Sequence, residues 1–485
     1  MSTIARTDAT GKSGMLPELV HWSSSFELDR SIAAEDLIGS AAHVTMLGKT
    51  GLIPVEDARA LRASLLRMYS TLEQGREPAW PAGEEDIHMA VEAMLTSELG
   101  VTAERLHTAR SRNDQIALDL HLYVRERSRQ ALCMLSDLIK QLLDRAESSA
   151  SIFLPAYTHR QRAQPISAAF LICAWCAQLV RAGEQILFTL QRVDSLPLGS
   201  GACSGTSLPI DRALTARLLG FSRLSINALD TVGDRDFALD WSWASCRILL
   251  ALGKIASDLI DYSTAEFGLV RLDGSIAAGS SMMPQKKNPD IFELLRSKSA
   301  KGIGHTVALL SLIKGLPSGY NRDQQEDRSS LLDTTSLLLG SLRAFAIAWP
   351  HVHFDPTVGH AALEEGFTQA TDLAEALVAK GTPFREAYRA VGKLVRIAVE
   401  SQRTLAQISV QEAEQVHPGF DAAALRVLHP DVAVEAKKSQ GGTSSDSIRE
   451  QRAALRQHVS QFDKIAADVP LLSALAERIA KENLG

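Results

Sequence analysis

Residues 279–289 place two serine hydroxyls, two lysines and side-chain amides on a segment framed by glycine and proline. Glycine adopts backbone conformations closed to other residues, and proline restricts its neighbours, so such a segment forms a loop that can approach a small ligand closely. A lysine and free backbone N–H groups stabilise a carboxylate, and an activated serine acts on the atoms beside it. These residues therefore predict a loop that handles a carboxylate.

Two plainer interpretations of this loop are open on its residues alone. Ser280 and Ser281 are of a type common in turns. Lys286 also suits a solvated position, or a Schiff base with pyridoxal phosphate. The rest of the sequence has to decide between these interpretations.

Long helices are predicted to position the loop. Three ranges, 114–145, 235–260 and 329–349, repeat apolar residues at a spacing of three or four. Aromatic residues make up only 5% of the chain, and alternating strand-like patterns are weak throughout. Stripes of this length predict an all-α fold with helices of about thirty residues packed as a bundle.

Polar stretches rich in glycine and proline separate these helices and predict loops that carry the chemistry. The predicted loops are 107–115, 155–166, 197–209, 272–289 and 315–327. A chain of 485 residues is too long for one simple core. Composition shifts near positions 106 and 356 predict three helical domains. They are a mostly helical N-terminal domain at 1–106, a central bundle with the active-site loops at 107–356, and a C-terminal helical domain at 357–485.

The composition excludes several classes of protein. A net charge of −6 provides no basic surface for nucleic acid. Residues 1–15 lack the apolar core of a secretory signal, and no run of eighteen apolar residues predicts a membrane span. Five cysteines, an odd and sparse set, predict reduced thiols and a cytoplasmic protein. Cys173 and Cys176 form a C-x-x-C inside an apolar run, which favours buried helix cysteines over a redox pair.

The residues of several loops also resemble a known family. The 279–289 loop is similar to the common motif of the fumarase/aspartase superfamily, and other segments resemble argininosuccinate lyases in particular. Those segments are 107–115, 157–165, 197–202 with 209–212, 315–321, the N-terminal Ser25, Asp29, Arg30, Asp36, Gly39 and Ser40, and 85–88. They follow in the family's order from about Ser25 to the C-terminal region, which excludes a chance match to one motif.

The resemblance implies a homotetramer built on a long helical bundle, with each active site assembled from three subunits. It implies elimination of an amine from an N-substituted aspartate to give fumarate, without a metal or an organic cofactor. The partner would be a small dicarboxylate or aminopolycarboxylate substrate, with no nucleic acid and no membrane.

The resemblance assigns the chemical roles residue by residue. Ser280 stands where this family carries its catalytic base, and a serine becomes basic only when desolvated beside positive charge, which Lys286 would supply. Lys286 and Asn288 would stabilise the aci-carboxylate dianion, a task in which one lost donor typically costs roughly 3 kcal/mol. His159, oriented by Glu293, would protonate the leaving nitrogen or hold a carboxylate.

Further positions match the substrate-binding residues of the family. The positions that match the fumarate half or its loop are Ser111, Arg112, Asn113, Thr158, Ser281, Met283 and Asp290. The positions that match the surroundings of the amine half are Ser25, Asp29, Tyr320, Gln325 and Arg328. His88 is predicted to be structural, and the sequence Asp-Arg-Asp at 234–236 to be an ion-pair and helix-start feature.

The sequence departs from the family's usual residues at several positions. The family usually has glycine at the position of Ala109, leucine at that of Arg160 and serine at that of Gly233. It usually has Leu-Ala where this chain has Ser-Gly at 318–319, and lysine where this chain has Arg328. Arginine and lysine are not equivalent at a carboxylate site. These departures put the identity of the amine in question and leave the reaction class unchanged.

Arg160 would add a guanidinium near the site if its side chain turned inward, which favours a more anionic substrate than argininosuccinate. Within the family the pattern is most similar to lyases of ethylenediamine-N,N′-disuccinate. We therefore expect this substrate, with fumarate and N-(2-aminoethyl)aspartate as products. An argininosuccinate lyase of arginine biosynthesis is the alternative.

Two further interpretations carry less weight. Some lens crystallins resemble argininosuccinate lyase, so an enzyme-derived structural protein is the alternative from a different class; the intact candidate catalytic residues argue against it. Adenylosuccinate lyases share the 279–289 loop but lack the sequence motifs found here at 107–115 and 157–165.

Overall fold

The structure is a computed structural model that describes residues 16–484. Residues 1–15, for which the sequence predicts no secretory signal, and Gly485 lie outside the described residues. Twenty α-helices and eight short strands lie within the described range.

The helices are α1 Pro17–Trp22, α2 Phe26–Asp29, α3 Ala33–Lys49, α4 Val55–Glu73, α5 Ile87–Leu99, α6 Arg112–Ser148, α7 Ala168–Val193, α8 Arg212–Leu219, α9 Ala228–Gly233, α10 Asp236–Tyr262, α11 Asp290–Ile313, α12 Asp327–Ala348, α13 Pro356–Glu365, α14 Ala370–Ala379, α15 Phe384–Glu400, α16 Val410–Val416, α17 Ala422–Leu425, α18 Pro430–Ala436, α19 Ser445–Asp468 and α20 Leu472–Lys481. The strands are β1 Phe153–Thr158, β2 Gln161–Ser167, β3 Ser195–Leu196, β4 Arg223–Leu224, β5 Val270–Leu272, β6 Ala278–Gly279, β7 Lys287–Asn288 and β8 Val352–Phe354.

The all-α fold predicted from the sequence is confirmed. The three apolar stripes lie in α6, α10 and α12, and these helices pack with α7 and α11 into one bundle. Trp175 and Trp241 lie buried in its core, where apolar side chains from several helices meet. Short two-stranded pairings connect loops at the ends of the bundle, and the segment 155–166, predicted as a loop, forms most of the β1–β2 hairpin.

Polar residues set the starts of the helices that carry the predicted site. Ser111 and Asp114 form a capping box at the N-terminus of α6. Asp86 caps α5 by accepting a hydrogen bond from the backbone N–H of Met89. At 234–236, Arg235 is buried and pairs with Asp327 before α10 begins, which confirms the prediction of an ion-pair and helix-start feature.

The bundle has two ends that are far apart. At a rise of about 1.5 Å per residue, α6 is roughly 55 Å long. Arg112 begins α6 at one end, which we call the cavity end. The β1–β2 hairpin follows α6 at the other, the hairpin end, where the rings of Tyr157 and Tyr262 are 5.9 Å apart. Helix α11 then leads from the hairpin end back to the cavity end, because Tyr320 beyond its C-terminus and Arg112 line the same cavity.

A second hydrophobic core lies in the C-terminal part of the chain. Leu377, Leu394 and Phe420 are among its buried residues, which belong to the segment 373–428. The helices that follow pack elsewhere: α19 lies against α6 and α7, and α20 lies against α3 and α4. There Lys49 forms an ion pair with Glu482 at 2.5 Å.

Cysteine placement agrees with the sequence analysis. Cys173 and Cys176 are buried in α7 as free thiols, and burial raises the pKa of Cys173 to about 11. One segment of the described chain, Arg322–His351, is long and apolar enough to cross a membrane by length and composition. Core helices pass the same test, and 44% of its most apolar window is buried within the chain.

Candidate active site

A cavity of about 170 Å³ opens at the cavity end of the bundle. It is lined by Ser25, Glu85, Asp86, His88, Arg112, Asn113, Ile116, Tyr320, Arg322, Gln325 and Arg328. Six of the predicted substrate-binding residues are in this set. We call this site the Arg328 cavity.

A buried ion pair supports one wall of the Arg328 cavity. Arg328 Nε lies 2.8 Å from Asp29 Oδ1, and Ser25 Oγ donates a hydrogen bond of 2.6 Å to Asp29 Oδ2. Burial raises the pKa of the Asp29 carboxyl, although Arg328 and Ser25 favour its charged form. The charge of Arg328, where the family usually has lysine, is therefore compensated within the chain.

The other two guanidinium groups of the cavity also have carboxylate partners. Arg112 Nη1 lies 3.0 Å from Asp86 Oδ2, and Arg322 Nη2 lies 2.5 Å from Glu85 Oε1. With the Asp29–Arg328 pair, three cations face three carboxylates. The cavity is thus electrically mixed and has no excess of positive charge among these groups.

Asp114 holds the N-terminus of α6 against a neighbouring loop. Its Oδ1 accepts the backbone N–H of Ser111, and its Oδ2 accepts those of Gly199 and Gly201 at 2.9 and 2.8 Å. Asn113 Nδ2 donates to the carbonyl of Ala202 in the same loop. Three predicted residues, Ser111 to Asn113, are therefore positioned by a buried carboxylate and not by their own contacts alone.

His88, one of the lining residues, belongs to a buried polar cluster. Its Nδ1 is 3.0 Å from Asp36 Oδ1 and 3.7 Å from Asp119 Oδ2. Burial raises the pKa of Asp119 well above its usual range. These buried contacts agree with the predicted structural role of His88.

The second group of predicted residues lies at the hairpin end. Thr158 and His159 are exposed at the tip of the β1–β2 hairpin, where His159 and Arg160 adopt left-handed backbone conformations with φ of 53° and 58°. The Arg160 side chain is 78% exposed, and its Nη2 pairs with Asp261 Oδ2 at 3.0 Å. Within this chain, the Arg160 guanidinium is therefore paired with a carboxylate of α10.

The 279–289 loop closes through pairing of β6 with β7, which brings Gly279 opposite Lys287. Ser280 Oγ accepts hydrogen bonds from the backbone N–H groups of Met282 and Met283, at 3.3 and 3.0 Å. Donors aimed at a hydroxyl oxygen stabilise its deprotonated form. The loop residues Ser281, Met283 and Lys286 are exposed, while Ser280, Asn288 and Asp290 are half-buried.

Glu293 lies on the exposed surface of the first turn of α11. Within residues 16–484 it forms neither a hydrogen bond nor an ion pair with His159. The predicted His159–Glu293 pair is therefore not assembled inside one chain.

The length of α11 separates the two groups of predicted residues. Its 24 residues span roughly 36 Å. Ser280 and Lys286 precede its N-terminus, and Tyr320 and Gln325 follow its C-terminus. A single chain therefore holds one half of the predicted site at each end.

Several contributors to the cavity were not assigned roles from the sequence. Glu85 and Asp86 occur in a segment that resembles the family, but their residue types alone assign them no role; the structure adds that Asp86 caps α5. Arg322 and Asp114 gave no signal beyond their place in polar loops. Their importance follows from contacts between residues far apart in the sequence, such as Arg322 and Glu85.

Comparison with known protein families agrees with these observations. A family model described as lyase matches residues 17–304, and one described as the argininosuccinate lyase C-terminal region matches residues 367–435. The chain is 40% identical over 438 residues to an argininosuccinate lyase of Geobacillus thermodenitrificans, with 90% of this chain and 95% of the relative covered. It is 41% identical over 435 residues to one of Methylococcus capsulatus, with 90% and 93% covered.

Solved structures share the fold. A crystal structure of EDDS lyase in complex with formate aligns with a TM-score of 0.81 at 23% identity, covering 96% of this chain and 93% of the other. A class II fumarase from Schistosoma mansoni aligns with a TM-score of 0.71 at 18% identity, covering 88% and 98%. The fold and the sequence relatives together identify the reaction class: the chain belongs to the argininosuccinate lyase family of fumarate-releasing carbon–nitrogen lyases.

Proposed function

We propose that this enzyme removes an amine from an N-substituted aspartate by anti-elimination, with Ser280 as the base. Ser280 Oγ takes the proton from the carbon beside a carboxylate, the aci-carboxylate forms, and the carbon–nitrogen bond then breaks to release fumarate. The observation that carries this step is the pair of backbone N–H groups, from Met282 and Met283, that donate to Ser280 Oγ. They favour the serine alkoxide, as does a lysine close by in the loop.

Other residues of the proposed site stabilise the negative charge that develops during the reaction or bind the carboxylates of the substrate. Lys286 and Asn288 stabilise the aci-carboxylate, and His159 with Glu293 protonates the leaving nitrogen or holds a carboxylate. In this proposal the remaining contacts to the fumarate half come from Ser111, Arg112, Asn113, Thr158 and Ser281. Met283 and Asp290 are further substrate-binding residues.

We propose a homotetramer in which each site combines residues from different chains. The roughly 36 Å length of α11 supports this, because it keeps Ser280 away from the Arg328 cavity of its own chain. Exposed apolar side chains along the bundle support it as well, since surfaces of this kind mark protein contacts. They are Trp243 and Leu250 on α10, Leu294, Ile303, Val307 and Leu310 on α11, and Ile347 on α12.

Complementation between inactive variants tests the shared site. Ser280→Ala and Asn113→Ala damage opposite ends of the bundle, so mixed tetramers contain some sites with both residues intact and regain activity. Asn113→Ala mixed with Gln325→Ala is the matched control, because both changes affect the cavity end and no rescue is expected. Absence of rescue in verified mixed tetramers of the first pair contradicts sharing between chains.

Argininosuccinate is the first substrate we propose to test, ahead of the disuccinate that the sequence favoured. Relatives named argininosuccinate lyase are 40–41% identical over about nine-tenths of the chain. The balanced charges of the Arg328 cavity suit the zwitterionic end of an amino acid better than a second dianionic aspartyl group. Arg160, the reason for preferring the disuccinate, is paired with Asp261.

Ethylenediamine-N,N′-disuccinate remains the second candidate, because Arg328 offers a two-pronged guanidinium where the family usually has lysine. Both compounds should be offered side by side while the ultraviolet absorbance of released fumarate is followed. Turnover of argininosuccinate alone supports the first assignment, and turnover of the disuccinate alone replaces it with the second. We also propose a cytoplasmic location, in keeping with five cysteines that form no disulfide.

A further inference from the structure

Two of the departures from the family meet in one backbone contact beside the Arg328 cavity. A Cβ added to Gly233, at the end of α9, would lie 2.7 Å from the carbonyl oxygen of Gly319 and 3.0 Å from its carbonyl carbon. The atoms in the way belong to the backbone and cannot rotate aside. Any residue other than glycine at 233 therefore has to displace the segment that contains Gly319.

Other bonds hold the same segment in place. Gln324 Nε2 donates a hydrogen bond of 2.6 Å to the carbonyl of Gly233. Asn321 Nδ2 lies 3.3 Å from the Gly319 carbonyl oxygen and donates to it. Displacing this carbonyl thus disturbs bonds on both sides of Tyr320, which is the next residue after Gly319 and lines the cavity.

Gly319 adds a second constraint. Its φ is +87°, in the left-handed region that side chains rarely adopt, and a Cβ there would lie 3.0 Å from Leu229 Cδ1. The serine and alanine that the family usually has at 233 and 319 would each meet one of these obstacles. The two glycines are therefore required together by the close approach of α9 and the 315–321 segment.

We propose that the Gly233–Gly319 contact determines amine specificity by positioning Tyr320 in the wall of the Arg328 cavity. Neither glycine touches the substrate; both act through Tyr320 and are positioning residues. This inference rests on the proposed function in one respect, the assignment of the cavity to the amine half of the substrate. The fumarate half is assigned to the loop around Ser280 and to residues 111–113, whose hydrogen bonds and ion pair run to Asp114, Asp86 and Ala202 and to neither glycine.

Kinetics of Gly233→Ser test the proposal with whichever of the two substrates the enzyme turns over. We expect KM to rise by about tenfold, because a shifted pocket wall costs binding of the amine half. The inhibition constant of succinate, a mimic of the fumarate half, and kcat should change by less than about twofold. Gly319→Ala should shift KM in the same direction. Gly392→Ser, at an exposed helical glycine with open space around it, is the control and should change neither.

An unchanged KM in Gly233→Ser overturns the proposal, as does an equal rise in KM and in the succinate constant. Amide hydrogen exchange of the peptide 314–328 provides a readout that needs no turnover. Exchange should be faster in Gly233→Ser than in the parent enzyme and the Gly392→Ser control. If the parent enzyme turned over neither substrate, the substrate assignment would fail; unchanged exchange would separately overturn the positioning role.

Discussion

The Arg328 cavity and the 279–289 loop both carry polar groups of the proposed site, but these groups differ in burial and in bonding. In the cavity, Arg328 is 5% exposed and its partner Asp29 is fully buried. In the loop, Lys286 is exposed and Ser280 is bonded, among residues 16–484, to the backbone of its own turn.

Because of this difference, the two regions should contribute differently to folding stability and to turnover. The buried Arg328–Asp29 pair loses hydration during folding, so removal of one partner destabilises the chain. An exposed loop contributes little to folding, and its groups are left to be desolvated when substrate and other chains cover them. Damage to the cavity should therefore reduce stability and binding, whereas damage to the loop should reduce turnover alone.

Ser280→Ala gives the largest expected effect. Without a base in the loop, fumarate release should fall by about a thousandfold. The thermal midpoint and the oligomeric state should stay unchanged, since the hydrogen bonds of Ser280 in the described part of the chain stay within its turn. Ser297→Ala on the exposed side of α11 is the control. Residual activity above a tenth of the parent value would remove Ser280 from the role of base.

Arg328→Ala tests the opposite region. Asp29 would remain buried without its counterion, so we expect a loss of about 3–5 kcal/mol in the free energy of unfolding. Lys286→Ala should change stability by no more than about 0.5 kcal/mol, yet reduce turnover strongly. Urea unfolding of both variants measures the contrast. Equal losses of stability would mean that the two regions do not differ as proposed.

Glu35 is buried in α3, and its titration makes the stability of the chain depend on pH. Burial raises the pKa of Glu35 to about 7 from its ordinary value of 4.5. The folded state therefore binds this proton more tightly than the unfolded state, and stability falls as pH rises from about 4.5 through 7. Glu35→Gln removes this titration. The free energy of unfolding of Glu35→Gln, relative to that of the parent protein, should therefore increase by about 3 kcal/mol from pH 4 to pH 8.

Unfolding midpoints at the two pH values measure this growth. Glu56→Gln, at an exposed position on α4, is the control and should show no such pH-dependent difference. A constant difference between Glu35→Gln and the parent protein would contradict a raised pKa for Glu35.

Ala109→Gly should have the smallest effect. Ala109 has a φ of 58°, a left-handed conformation that costs a residue with a Cβ roughly 1–2 kcal/mol. The added freedom of glycine in the unfolded chain offsets part of the gain, so we expect stabilisation by about 1 kcal/mol or less. Urea unfolding provides the measurement, and destabilisation would show that the alanine side chain makes a packing contact worth more than the strain.

The long helices could be predicted because their information is local. Apolar repeats at a spacing of three or four residues placed the stripes of α6, α10 and α12. The β1–β2 hairpin was missed because Thr158 and Gln161 flank a polar turn, with no alternating apolar pattern to mark the strands.

The sequence names candidate site residues but does not indicate how they are arranged. Motif positions named the groups, whereas their division between the two ends of α11 depends on how helices pack. Arg328 and Asp29 are about three hundred positions apart, so nothing in the local sequence indicates their ion pair. The same holds for Arg160, whose partner Asp261 lies on a different element.

The packing of α20 on α3 and α4 has a consequence for the order in which the protein is made. Lys49 and its partner Glu482 are 433 positions apart. At roughly 5–20 residues per second, a ribosome needs roughly 20–90 seconds to synthesise the intervening chain. During that time the emerging α3–α4 pair has no α20 to cover it, so the surface that α20 covers in the folded chain stays open until the last helix has been made.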